Sequence, residues 1–162
     1  MKQYIGTKIV NMVPMSRAEY NIFRGWQLPS DENGDDAGYL VEYTDGGKPN
    51  TAQYAGYVSW SPKQQAELAY RETSGLPLGL AIEAMKKGAR VARSGWNGKG
   101  LFVYLVPASS YPAQTGAAKL YFGTGAMVPY NAYMAIKNVD NTVSTWVPSV
   151  NDCLADDWSV IE

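Results

Sequence analysis

The chain contains no histidine and a single cysteine, Cys153, so neither a disulfide nor a cysteine-rich zinc site can brace it. Its fold must rest on side-chain burial and hydrogen bonding alone. The means are present: 46% of the 162 residues are apolar and 18% charged, enough for a closed core and too little charge for an extended solvated chain. That length suits one domain or two very small ones. The missing histidine removes the commonest general base near neutral pH, together with every Ser-His-Asp or Cys-His arrangement, leaving carboxylate pairs, Lys and Tyr as candidate catalysts. Fourteen Lys and Arg against fifteen Asp and Glu leave a formal charge of -1, which gives no whole-molecule field for a nucleic-acid polymer or an anionic membrane. The start, Met1-Lys2-Gln3-Tyr4, lacks the apolar run of a signal peptide, and no stretch approaches the roughly 20 apolar residues of a membrane span. With a lone thiol, the expected compartment is the cytosol.

Local signals order the elements. Tyr4 to Asn11 alternates as a strand, and Ser16 and Glu19 stand at capping-box spacing before a helix through Phe23. Pro29 to Ala37 is an acidic loop turning at Asn33-Gly34. Gly38–Thr44 and Gly56–Trp60 read as a strand pair, and Ser61-Pro62 as an N-cap and N1 proline for a helix over Lys63–Glu72. Thr73-Ser74-Gly75-Leu76-Pro77 is the internal boundary, giving an extension over 1–74 and a second domain over 75–162. In the latter, Leu78–Lys87 is a helix stopped by Gly88, and Ala89–Arg93 and Leu101–Val106 are strands. Ala132–Asn138 and Thr142–Val147 form a hairpin, a helical turn covers Asp152–Ala155, and Trp158–Ile161 is a last strand. Pro107 to Pro129 reads as a long surface loop. The order predicts an α+β fold with a mainly antiparallel sheet and a few short helices.

Charge is unevenly distributed. No Asp or Glu lies between Glu83 and Asp140, whereas Lys86, Lys87, Arg90, Arg93, Lys99, Lys119 and Lys137 do. Such a segment attracts an anion, or is simply a solvated basic face. Within it, Gly95-Trp96-Asn97-Gly98-Lys99-Gly100 combines backbone that can approach a ligand closely with a ring for stacking, a polar reader and a point charge. The spacing matches neither a P-loop nor a dinucleotide fingerprint, and a plain glycine-rich turn with Trp96 in the core fits the same residues. Five Trp and twelve Tyr against three Phe favour rings with a hydrogen-bonding tip, as in a nucleotide pocket or a protein interface. Tyr130, Tyr133 and Trp146 are such rings, with core packing the plainer role. Asp152, Asp156 and Asp157 are a carboxylate group that acid–base or Mg²⁺ chemistry requires, and that helix capping and surface charge also explain.

From about Pro77 to Glu162 the chain resembles the Thoeris anti-defence 2 family of phage proteins. The resemblance lies in Ala92-Arg93-Ser94-Gly95-Trp96-Asn97-Gly98-Lys99-Gly100, in Pro129-Tyr130 with Ala132 to Lys137, in Trp146 and Ser149, and in Asp152-Cys153-Leu154-Ala155-Asp156-Asp157-Trp158. It implies a non-enzymatic sponge without cofactor or metal. Such proteins hold cyclic ADP-ribose isomers made by TIR-domain proteins, act in the cytoplasm of the infected host, and assemble as homo-oligomers, typically tetramers; some members take cyclic dinucleotides at a second site. Each part of the ligand then has a candidate partner: Trp96 for the purine, with Trp146 or Tyr130 across it; Arg93, Asn97, Gly98 and Lys99 for the diphosphate; Ser149 and Asp152 for ribose hydroxyls. The competing readings are a nucleotide-degrading enzyme built on Asp152, Asp156 and Asp157, and a phage structural or interaction module.

Overall fold

The computed structural model describes residues 1–161 and divides the chain into two compact units, Met1–Arg71 and Glu72–Glu162. All strand pairings are antiparallel, making the protein α+β.

In the first unit, β1 (Val10–Pro14), β2 (Gly38–Tyr43) and β3 (Tyr57–Pro62) form a three-stranded sheet in that order. Helix α1 (Arg17–Arg24) starts at Ser16, whose side chain accepts from the Glu19 amide while the Glu19 carboxylate accepts from the Ser16 amide; Gly25, at φ 67°, ends it. Tyr20, Leu40 and Val58 are its buried core, with Phe23, Tyr54 and Trp60 packed around them. Two expectations move. The strand expected over Tyr4–Asn11 lies at Val10–Pro14, because β2 ends opposite Val10; beyond it Ile9 and Lys8 are met only by the side chains of Thr44 and Asp45, and the chain then turns away through Gly46 and Gly47. Ser61 is not the N-cap: it stays in the ladder opposite Tyr39, Pro62 closes β3, and α2 (Lys63–Ala69) begins without a side-chain cap.

The second unit is built on a five-stranded sheet ordered β10 (Trp158–Ile161), β4 (Arg90–Arg93), β5 (Phe102–Val106), β8 (Tyr133–Lys137), β9 (Val143–Thr145). Register decides which residues share a face. Trp158 stands opposite Arg93, Val160 opposite Val91, Val103 opposite Ile136 and Leu105 opposite Met134, so these side chains point one way. Helix α3 (Leu78–Lys86) packs over β10, β4 and β5, and Leu78, Ala81, Ala84 and Met85 close the core against Val91, Val103 and Trp158. Gly88, at φ 91°, ends the helix as its sequence signals. Arg90, Phe102, Tyr104, Tyr133 and Lys137 alternate onto the opposite face.

Pro107–Pro129 is not a structureless loop. It forms a ribbon of β6 (Ser109–Pro112) and β7 (Met127–Tyr130) enclosing α4 (Gly116–Phe122), which Thr115 caps through the Ala118 amide. Its strands carry little apolar alternation because almost nothing there is buried beyond Ala113 and Val128. Among the described residues no helix is long and apolar enough to cross a membrane.

Trp158 is fully buried, and its indole N–H donates to the Asp152 carbonyl at 3.1 Å. Trp158→Ala should therefore destabilise the second unit by about 3–5 kcal/mol in urea unfolding, through the cavity and the orphaned carbonyl. A loss below about 1 kcal/mol would show that the core does not depend on this side chain.

Candidate ligand-binding site

The short helix α5 (Val150–Cys153) is anchored by a second capping box, in which Ser149 and Asp152 cap each other. The Asp152 carboxylate receives four donors. Ser149 gives its amide (2.9 Å) and hydroxyl (2.7 Å) to Oδ2, while Arg93 Nη1 (2.9 Å) and the Trp96 indole N–H (3.3 Å) approach Oδ1. Arg93 also turns its Nε to Asp157 Oδ1 at 2.7 Å, and the other Asp157 oxygen accepts from the Ser94 hydroxyl and the Gly95 amide. A Cβ on Gly95 would stand 2.9 Å from Asp157 Oδ2, so glycine is needed for this approach.

The carboxylates are held ionised. Burial opposes charge on Asp152, yet the hydrogen bonds from Ser149, Arg93 and Trp96 outweigh it and bring the group down to about 2. The guanidinium of Arg93 pulls Asp157 down as well, and the two carboxylates raise Arg93 in return. Their lone pairs are largely filled by the protein's own donors, which limits what either can offer to a ligand or a metal. Among the described residues no three metal-ligating side chains gather.

Over this network sits an indole triad. Trp96 meets Trp158 at 5.3 Å and Trp146 at 6.1 Å between ring centroids, and Trp146 meets Trp158 at 5.8 Å, all edge to face. Trp96 and Trp146 remain half-buried, whereas Trp158 is sealed. Trp96 thus shares both sequence readings: it braces the core and keeps part of its surface open.

Five of the expected site residues come together here: Arg93, Trp96, Trp146, Ser149 and Asp152. Asn97 and Lys99 are exposed on the loop that follows Trp96. Gly98 lies against Leu101 and Val139, where a Cβ would clash at 2.5 and 2.9 Å, and Gly100 takes φ 73° beside the Lys137 ammonium. Tyr130 is not in the cluster; it stands on the ribbon with Tyr111 as its ring partner, 6.0 Å away. Asp157 enters the sequence reading only as a candidate acid–base or metal carboxylate, and Ser94 and Trp158 only within the motifs of the resemblance; their partnerships here have no local signal, since Asp157 with Arg93, Ser94 with Asp157 and Trp158 with Trp96 each lie about 60 residues apart along the chain. A cleft of about 310 Å³ beside β5 adds Arg90, Phe102, Tyr104 and Lys137, of which only the cations had a signal, the acid-free segment.

Because Asp152 titrates lower folded than its ordinary 3.8, its contribution is present above about pH 4 and is lost as pH falls toward 2. Asp152→Asn should cost roughly 2 kcal/mol at pH 7, with the gap to the parent closing near pH 2 in urea unfolding. A gap independent of pH would mean that charge is not what the site uses.

Comparison with known proteins bears on residues 76–161, which match the model of the Thoeris anti-defense 2-like domain. Over 89 residues the chain is 36% identical to Thoeris anti-defense 2 of Bacillus phage SP01, covering 53% of this chain and 94% of that protein. The match falls on the unit that carries the Asp152 network, the indole triad and the glycine loop, and the chain belongs to the Thoeris anti-defence 2-like family.

Proposed function

We propose that the chain counters Thoeris defence by binding a cyclic ADP-ribose isomer made by TIR-domain proteins and holding it uncleaved, so that the immune effector is never activated. The observation that carries this reading is a rigid, indole-rich site, without histidine, whose carboxylates are already spent on Arg93, Ser149, Trp96, Ser94 and Gly95. Saturated, ionised carboxylates are poor acids and bases, so the site is better suited to capture than to turnover. The half-open faces of Trp96 and Trp146 take the adenine, and Asn97, the Gly98 amide and Lys99 address the diphosphate. Arg93, Asp152 and Ser149 hold the platform in place; preorganisation of this kind spares the ordering cost of binding. The site of action is the cytoplasm of the infected host, where the signal is made.

Capture of a scarce signal needs nanomolar affinity, about -12 kcal/mol, which favours a pocket closed by a second subunit. The ribbon supports self-association into a homo-oligomer, such as a tetramer. On α4, Leu120 and Tyr121 are 90% and 84% exposed, and Phe122, Tyr111 and Met127 are open beside them. Converting Leu120 and Tyr121 to Asp should reduce the assembly to a smaller species in light scattering, without changing the melting temperature. A parent chain that is monomeric at about 100 μM would refute this assembly.

The binding reading is tested by incubating the protein with a cyclic ADP-ribose isomer, denaturing it, and chromatographing the supernatant. Intact ligand should return in proportion to protein; a processed product in excess of protein would identify an enzyme instead. Asn97→Ala with Lys99→Ala should weaken capture at least about tenfold while the fold is kept, and Trp96→Ala should do the same with some loss of stability. Undiminished capture in both variants would place the ligand elsewhere.

A further inference from the structure

We propose that the cleft beside β5 is a separate site for a single nucleoside monophosphate, its base along Phe102 and Tyr104 and its phosphate between Arg90 and Lys137. The cleft arises from sheet geometry. Strands β4 and β5 share only the Val91–Val103 pair, so beyond it Ala89 and Arg90 part from Tyr104 and Leu105 and leave a gap of about 310 Å³. Two cations flank one ring there: the Arg90 guanidinium lies 5.2 Å from the centre of Phe102, and Lys137 stands opposite Phe102 in the ladder to β8. The Tyr104 ring extends the aromatic wall, 5.9 Å from Phe102, and Met85, Leu105 and Val143 supply apolar floor.

The electrostatics select an anion. Among the described residues no carboxylate lines the cleft, and neither Arg90 nor Lys137 forms an ion pair within 4 Å. Asp140, on the turn after β8, feels the charge of Lys137, but its carboxylate is engaged by the amide and hydroxyl of Thr142. Nor does the C-terminal end of α3 bid for a cation, because the carbonyls of Glu83, Ala84 and Met85 already accept from the amides of Lys87, Ala89 and Gly88. Rings, flanking cations and an apolar floor together recognise a flat base that carries a terminal phosphate. The volume sits at the low end of small-molecule pockets, about 300–1,000 Å³, and so accommodates one nucleotide unit rather than two. None of these residues belongs to the Trp96 cluster or the loop at Asn97–Lys99.

Titration of the full chain with AMP, followed by calorimetry and by amide NMR, tests the proposal. AMP should saturate a site whose shifts centre on Phe102, Tyr104 and Lys137. Adenosine and inorganic phosphate should each bind about tenfold more weakly than AMP. Arg90→Ala and Lys137→Ala should each weaken AMP about tenfold at unchanged melting temperature, and Phe102→Leu should lower affinity while keeping the floor apolar. Asn97→Ala with Lys99→Ala should leave AMP binding intact, so that loss of messenger capture and loss of the cleft site are read separately. No saturation by about 10 mM AMP, or affinity unchanged within about twofold in both cation variants, overturns the assignment.

Discussion

Arg93 ends β4 between two carboxylates that arrive from the far end of the chain, and the second unit is organised around that meeting. The guanidinium is 18% exposed, its partners Asp152 and Asp157 are 12% and 31% exposed, and both contacts are shorter than 3 Å. Partly buried pairs of this kind gain more than surface pairs only when every remaining donor and acceptor is satisfied. Here Ser149, Ser94, Gly95 and Trp96 complete the set. The cross-strand neighbour of Arg93 is Trp158, so the same point of the sheet carries the ion network and the largest buried side chain.

That coincidence links stability to the shape of the site. Trp96 is tied at its indole nitrogen to Asp152 and at its edges to Trp146 and Trp158, which leaves it little freedom to turn. A ring so held presents a fixed surface to whatever approaches. The same hydrogen bonds keep Asp152 ionised and occupy its lone pairs, so the rigidity of the platform and the charge state of its carboxylate have one physical cause.

Elements written in short-range chemistry are legible in the sequence. The box at Ser16 and Glu19, the stop at Gly88 and the hairpin turn, where Asn141 takes φ 66°, each depend on residues within a few positions of one another. What depends on partners far along the chain is not. The first strand slides to Val10–Pro14 because β2 decides where pairing ends, and β6 and β7 hide because their strands bury almost nothing. At the site, the motif around Trp96 stands out as residue types, but the pairing of Arg93 with positions 59 and 64 residues later has no local signature. The cleft is less legible still, since it follows from a single shared pair between β4 and β5.

The acid-free stretch between Glu83 and Asp140 gains its meaning from this pairing. Its charge is not spread evenly over the fold. Arg93 is neutralised by Asp152 and Asp157, and Lys86 by Glu83 at 2.7 Å. Among the described residues, Arg90, Lys99 and Lys137 have no ion-pair partner within 4 Å, and Gly100 places Lys137 beside the glycine loop. At physiological ionic strength screening acts over about 8 Å, so only cations this close to a binding surface contribute to its local potential. Lys87, just after α3, and Lys119, on α4, are likewise without an ion-pair partner among the described residues, so folding reduces the bias visible in the sequence to five unneutralised side chains, of which Arg90, Lys99 and Lys137 flank the loop and the cleft.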